Sequence, residues 1–194
     1  VIPTTFRDAV RLVAILNLAY FGIEFAVALN IGSVSLFADS VDFLEDALVN
    51  FLILFSLAWS ASARARVGMA LAGILLVPGL ATVLMAWHKL LVPTPPEPLA
   101  LSATGLGALA INLSCAFMLA RFRAHSGSLS HAAFLSARND ALANIAIMAA
   151  ACVTVFYPSA WPDLIVGLGI AALNADAAKA VYTAARKEHA EAQA

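Results

Sequence analysis

Charged residues are scarce in this sequence. Asp, Glu, Lys and Arg together make up 12% of its 194 residues, about half of the roughly 25% usual in soluble domains. A soluble domain of this size needs a polar surface that so few charges cannot supply. The charge that exists has no bias: 11 Lys and Arg stand against 12 Asp and Glu. Without a basic field, nucleic-acid binding is excluded as a main role. Cysteine is nearly absent. Cys115 and Cys152 each lie within an apolar run, which excludes a disulfide scaffold. No His/Glu pair has metalloprotease spacing, and neither a serine-nucleophile motif nor a glycine-rich phosphate loop occurs. What abounds is apolar: 62% of residues are hydrophobic, and the mean hydropathy is +0.90. This is the composition of an integral membrane protein.

Crossing a hydrocarbon core of about 30 Å takes roughly 20 helical residues. Six such runs are predicted, over about 10–30, 34–60, 67–92, 99–120, 131–157 and 163–185. The fold expected is therefore an all-α membrane protein with six transmembrane helices. Breaks fall at Asn30 to Ser33, Ser62 to Arg66, Pro93 to Pro98, His125 to Ser128 and Tyr157 to Pro162. All connections are short, and no internal repeat is visible. The first apolar segment is long and contains Glu24, so it does not resemble a cleaved leader. Cations set the expected orientation. Arg7 and Arg11 open the first span, Arg64 and Arg66 follow the second, Arg121 and Arg123 the fourth, Arg186 and Lys187 the sixth. The other loops hold no Lys or Arg, and only Lys89 approaches one. Both termini are expected in the cytoplasm, with Trp59, Trp87, Tyr157 and Trp161 at the interfaces.

Seven acids fall inside the spans: Glu24, Asp39, Asp42, Glu45, Asp46, Asp140 and Asp176. Each costs on the order of 2.5–3.5 kcal/mol near the bilayer centre. They are expected to face the bundle interior, to pair with a cation or a metal, or to be protonated. Asp42 and Asp46 are four residues apart, so at about 100° per residue they stack on one face of the second helix. A divalent cation between them removes their repulsion. Ser136, Asp140 and Asn144 repeat the four-residue spacing on the fifth span, with Asn139 adjacent. Both sets lie near the expected midplane, where transporters place their sites. Structural alternatives are a pairing of Asp42 and Asp46 with neighbouring Asn or Ser, and an ion pair of Asp140 with Arg138, for which Glu45 is another partner. Asn17, Asn50 and Asn112 suit interhelical hydrogen bonds. Asp39 suits polar packing, and Glu24 either a proton relay or a structural bond.

The run from Ser33 to Asp46, with its acids four apart, resembles the second-span signature of the cation diffusion facilitator family. Asn17, Glu24, Gly32 and Ser33 are similar to that family's lead-in. Asn139 to Leu142 resembles its fifth-span motif, and Pro162 to Ile165 the start of its sixth. The resemblance implies efflux of a divalent metal cation, usually zinc, in exchange for protons. It also implies a tetrahedral metal site on Asp42, Asp46, Ser136 and Asp140, with the cation as substrate rather than cofactor. Ser136 departs from the pattern, since the family usually has histidine there. Asn139, Asn144 or water is the alternative donor. Three carboxylates without imidazole or thiolate make a harder site than is typical for zinc, which keeps manganese, iron, cobalt and cadmium open. Glu24, Asp39 and Glu45 are expected as proton-relay or accessory groups.

Family members commonly continue into a soluble domain that binds metal and forms dimers. Here a six-span transport domain over 1–187 and a short cytoplasmic tail over 188–194 are expected, so a homodimer would be held by the spans. The partners expected are divalent metal ions, protons and the bilayer, with the cell membrane, of bacterial inner-membrane type, as the location. A passive channel, or a membrane sensor that binds metal without coupled transport, would use the same acids.

Overall fold

A computed structural model describes residues 3, 5–56, 61–122 and 127–191. Within its helices, the side chains of 56, 61, 62, 64, 65, 68, 71–78, 127–138, 177, 178, 180, 181, 184, 185, 187–189 and 191 lie outside that description. The described residues form six α-helices: α1 (Phe6–Ile31), α2 (Val34–Ser56), α3 (Ala61–Leu91), α4 (Pro98–Ala120), α5 (Gly127–Phe156) and α6 (Trp161–Glu191). Even the shortest, at 23 residues, is about 34 Å long and spans a bilayer core. Three segments are strongly apolar membrane-span candidates: Phe6–Ile31, Pro98–Ala120 and Asn139–Phe156. Gly79–Leu91 is a shorter apolar one.

The helix ends follow local chemistry. Thr5 caps α1 by accepting from the Asp8 N–H at 3.1 Å. Gly32 stops α1 at φ +64°, a left-handed conformation that glycine adopts without a Cβ penalty. Glu97 caps α4, its carboxylate accepting from the Leu99 and Ala100 N–H groups ahead of Pro98. One expected break is absent. Residues 62–66 lie inside α3, because Ala and Arg are strong helix formers and nothing there interrupts the helix. The residues between α2 and α3, including Trp59, lie outside the described set. α5 likewise begins at Gly127, earlier than the sequence periodicity predicts.

α2 is the hub, packing against all five other helices; α4 lies along α5, α1 along α2, and α3 along α6. Close approach depends on small residues. A Cβ at Gly167 would sit 2.7 Å from the Ser35 backbone nitrogen, so α6 crosses the start of α2 only because position 167 has none. Two apolar clusters flank a polar middle. Ala28, Leu36, Phe37, Ala38, Val41, Leu101 and Ile147 pack toward the α1–α2 turn. Val10, Val13, Cys115, Ala116 and Leu119 pack toward the opposite end of α1 and α4. The exterior is apolar too: Leu84, Leu99, Phe117, Leu142, Phe156 and Ile165 are exposed. Water would penalise that surface, whereas lipid does not. Trp87, Tyr157 and Trp161 are exposed near the α3–α4 and α5–α6 connections, as interfacial aromatics are.

Candidate metal site

Between the two apolar clusters, α2 turns its acids inward against α1 and α5. Asp42 lies within electrostatic range of Asp39, Glu45 and Asp46 on its own helix and, across the helix interface, of Asp140. The Asp140 carboxylate lies within hydrogen-bonding reach of Asp46 and near Glu45 and Asp39. Three carboxylates from two helices therefore lie in one interior neighbourhood. Asn17 on α1 donates through Nδ2 to Asp46 Oδ2 at 3.4 Å and accepts from Cys115 Sγ at 3.7 Å, bringing α4 to the site. Two apposed carboxylates are both acceptors when ionised. Such a place is stable only with a cation or a proton between the groups. Among the described residues, no set of three or more Asp, Glu, His or Cys side chains already stands in coordinating geometry.

The remaining candidates are distributed unevenly. Ser136 is part of α5, one turn before Asp140, but its side chain lies outside the described residues, as does that of Arg138. Asn139 is exposed, off the acid-bearing face of α5. Asn144 is fully buried and engaged elsewhere: its Nδ2 donates to Asp39 Oδ1 at 3.0 Å and Oδ2 at 2.8 Å. Glu24, also fully buried, lies against Asp39. Glu45 borders Asp46. Asp176 is exposed, so of the alternatives open to an intraspan acid it does not take the inward-facing one. Asn174, two residues earlier, is the inward residue and donates to the Ala38 carbonyl at 3.3 Å. Asn50 bonds within its own helix, to the Asp46 carbonyl at 2.7 Å, rather than across helices. Its amide reaches back four residues, the usual competitor to an interhelical bond.

Sequence reasoning missed a second polar structure at the start of α2. Lys89 Nζ donates to Asp163 Oδ2 at 2.8 Å and to the Gly32 carbonyl at 2.6 Å. Asp163 Oδ1 accepts from the Ser33 and Ser35 hydroxyls, both at 2.6 Å, and from the Ser35 N–H at 3.1 Å; Oδ2 accepts from the Val34 N–H at 2.9 Å. One carboxylate thus caps α2 and ties it to α3 and α6, with all partners buried. A lone lysine near an otherwise cation-free loop, and an aspartate just after Pro162, were the available signals.

The family model described as the cation efflux transmembrane domain matches residues 10–181, a stretch that includes every residue of this site. The chain belongs to the cation efflux family. It is a membrane-embedded divalent cation transporter of the cation diffusion facilitator kind. No individual curated protein matches the chain. In this cation efflux protein, the motif running from Ser33 to Asp46 has two separable jobs. Its first residues anchor α2 to Asp163, and its last ones bring acids to Asp140.

Proposed function

We propose that Asp42, Asp46 and Asp140 bind the transported divalent cation near the middle of the bundle, and that this cation exchanges with protons. The apposition of Asp140 with Asp46 and Asp42 is the observation that carries this reading. Exposure of Asn139 and engagement of Asn144 with Asp39 favour Ser136 or water as the fourth donor. The metal is zinc by family resemblance, with manganese, iron, cobalt and cadmium as competitors at an all-oxygen site. Protons and metal compete for the same carboxylates, because a carboxylate binds metal only in its ionised form. Loading from the cytoplasm, rocking of helices about the site and release outward by protons would complete an alternating-access cycle. α2 packs against all the other helices, so a shift of α2 on loading would be passed to its neighbours. The cell membrane, and a homodimer held through the spans, complete the proposal.

The test is transport by the full chain in proteoliposomes, presenting zinc, manganese, iron, cobalt and cadmium in turn while internal pH is recorded. Metal flux with a matching proton counterflow is expected. In Asp46→Ala and Asp140→Ala it should fall to the level of protein-free vesicles. Conductance without a pH change would identify a channel, and metal binding without flux a sensor. Wild-type flux in both variants would overturn the site.

A further inference from the structure

Four buried side-chain atoms have no hydrogen-bond partner among the described residues, and three of them belong to two residues that both neighbour Asp39. They are both carboxylate oxygens of Glu24 and the Oδ1 of Asn144; the fourth is the Oδ1 of Asn50. Glu24, Asp39 and Asn144 are each 0% exposed. Glu24 lies within hydrogen-bonding reach of Asp39, yet neither group has a proton to donate when ionised. Asn144 holds Asp39 through its Nδ2, leaving its own oxygen unused. Leaving such acceptors buried and unmet is costly.

Their positions form a layer. Glu24 lies seven residues before the end of α1 at Ile31, and Asp39 five residues after the start of α2 at Val34. At 1.5 Å per residue they sit at similar depth, about 8–11 Å from the α1–α2 turn. Asp42 and Asp46 are one and two turns further along α2, and Asp140 is one turn from Asn144 on α5. The Glu24 layer is therefore about one turn nearer the α1–α2 turn than the three-carboxylate site.

We infer that Glu24, Asp39 and Asn144 form a second cation position, separate from the site at Asp42, Asp46 and Asp140. Its ligand is a hard divalent cation. All three unmet atoms are acceptors, so the missing partner must be electron-poor. A proton shared by Glu24 and Asp39 would serve one oxygen of Glu24 and leave the other unmet. A divalent ion can coordinate several oxygens at once, and its charge matches two ionised carboxylates. Rotation of the Asn144 amide would exchange its donor for its oxygen when the ion arrives. Two positions one turn apart make a path with a step, the ion moving between carboxylate sets rather than leaving a single deep site. This extends the transport reading, but its test does not depend on transport.

The experiment is equilibrium binding of Mn2+ alone to the detergent-purified full chain. Glu24→Gln, Asp46→Asn and the double variant are compared with wild type, and folding is checked by circular dichroism. Glu24→Gln is expected to bind one ion fewer per chain, and Asp46→Asn, losing the other ion, should retain the one that Glu24 holds. The double variant should bind two fewer. Wild-type stoichiometry and affinity in Glu24→Gln would overturn the inference and leave the Asp46 site standing. Loss in Glu24→Gln with none in Asp46→Asn would support the second position while removing the first. Should Glu24→Gln not fold, Asn144→Ala takes its place, with at least about a tenfold weaker affinity expected for one ion. Unchanged Mn2+ binding there would also overturn it.

Discussion

At the scale of single residues, donor chemistry would decide which metal the proposed site prefers. Carboxylate oxygens are hard ligands and suit manganese and magnesium-like ions, whereas imidazole suits zinc. Asp42, Asp46 and Asp140 supply oxygen only, and position 136 is serine, one turn from Asp140 on α5. Ser136→His would place an imidazole at that turn. The expected outcome is a preference for zinc over manganese increased by about tenfold, about 1.4 kcal/mol, measured as the ratio of the two metals' transport KM values. An unchanged ratio would mean that residue 136 does not reach the ion. Asn17 acts differently. Its Nδ2 touches Asp46 at 3.4 Å, so it orients a carboxylate rather than supplying charge, and outer partners of this kind typically matter by about 10–100-fold in metal affinity. Asn17→Ala should therefore raise the metal KM and leave the order of metal preference unchanged, and a changed order would make it a ligand. The core acids were legible because four-residue spacing survives any packing of a helix. The partner of Asn144 was not. Its stripe with Asp140 is real, but side-chain reach carried its amide to Asp39 instead, and no periodicity encodes that choice.

At the scale of elements, the contacts around Asp163 hold the start of α2 in place against α3 and α6. A buried ion pair is a poor source of net stability, but removing one partner strands the other charge, typically at about 3–5 kcal/mol. Lys89→Met should therefore lower the detergent-solubilised Tm substantially, with a similar loss for Asp163→Asn. The double variant should lose clearly less than the sum of the two, since each single change already breaks the same contact. Strict additivity would show that Lys89 and Asp163 act independently. Helix number, order and most ends were readable from hydropathy and from Pro and Gly. The Ser62 to Arg66 stretch reads as a break by polarity, but its two arginines favour helix by propensity, and it is helical. The clasp itself joins residues 33, 89 and 163. Contacts that distant in sequence depend on how helices pack, which a single chain's periodicity does not express.

For the whole molecule, the sorting of charge predicts an orientation. On α1, Arg7 and Arg11 are exposed at the end opposite the Gly32 turn, and Arg66, Arg121 and Arg186 are exposed at the corresponding ends of α3, α4 and α6. At the other end, Lys89 is buried in its ion pair with Asp163 and presents no free charge to the surface. Positive-inside bias is counted on short loops, so the arginine-bearing end should face the cytoplasm and the α1–α2, α3–α4 and α5–α6 connections the outside. By this orientation the Glu24 layer lies on the outward side of the Asp42, Asp46 and Asp140 site. Cys152 is exposed and Cys115 buried, so Cys152→Ser supplies a background with little reactive thiol. In it, Thr94→Cys, on the exposed α3–α4 connection, should react with a membrane-impermeant maleimide added to intact cells. Gln193→Cys, in the tail, should react only after permeabilisation. The reverse pattern would invert the molecule and make the Glu24 layer the entrance from the cytoplasm rather than the last position before release.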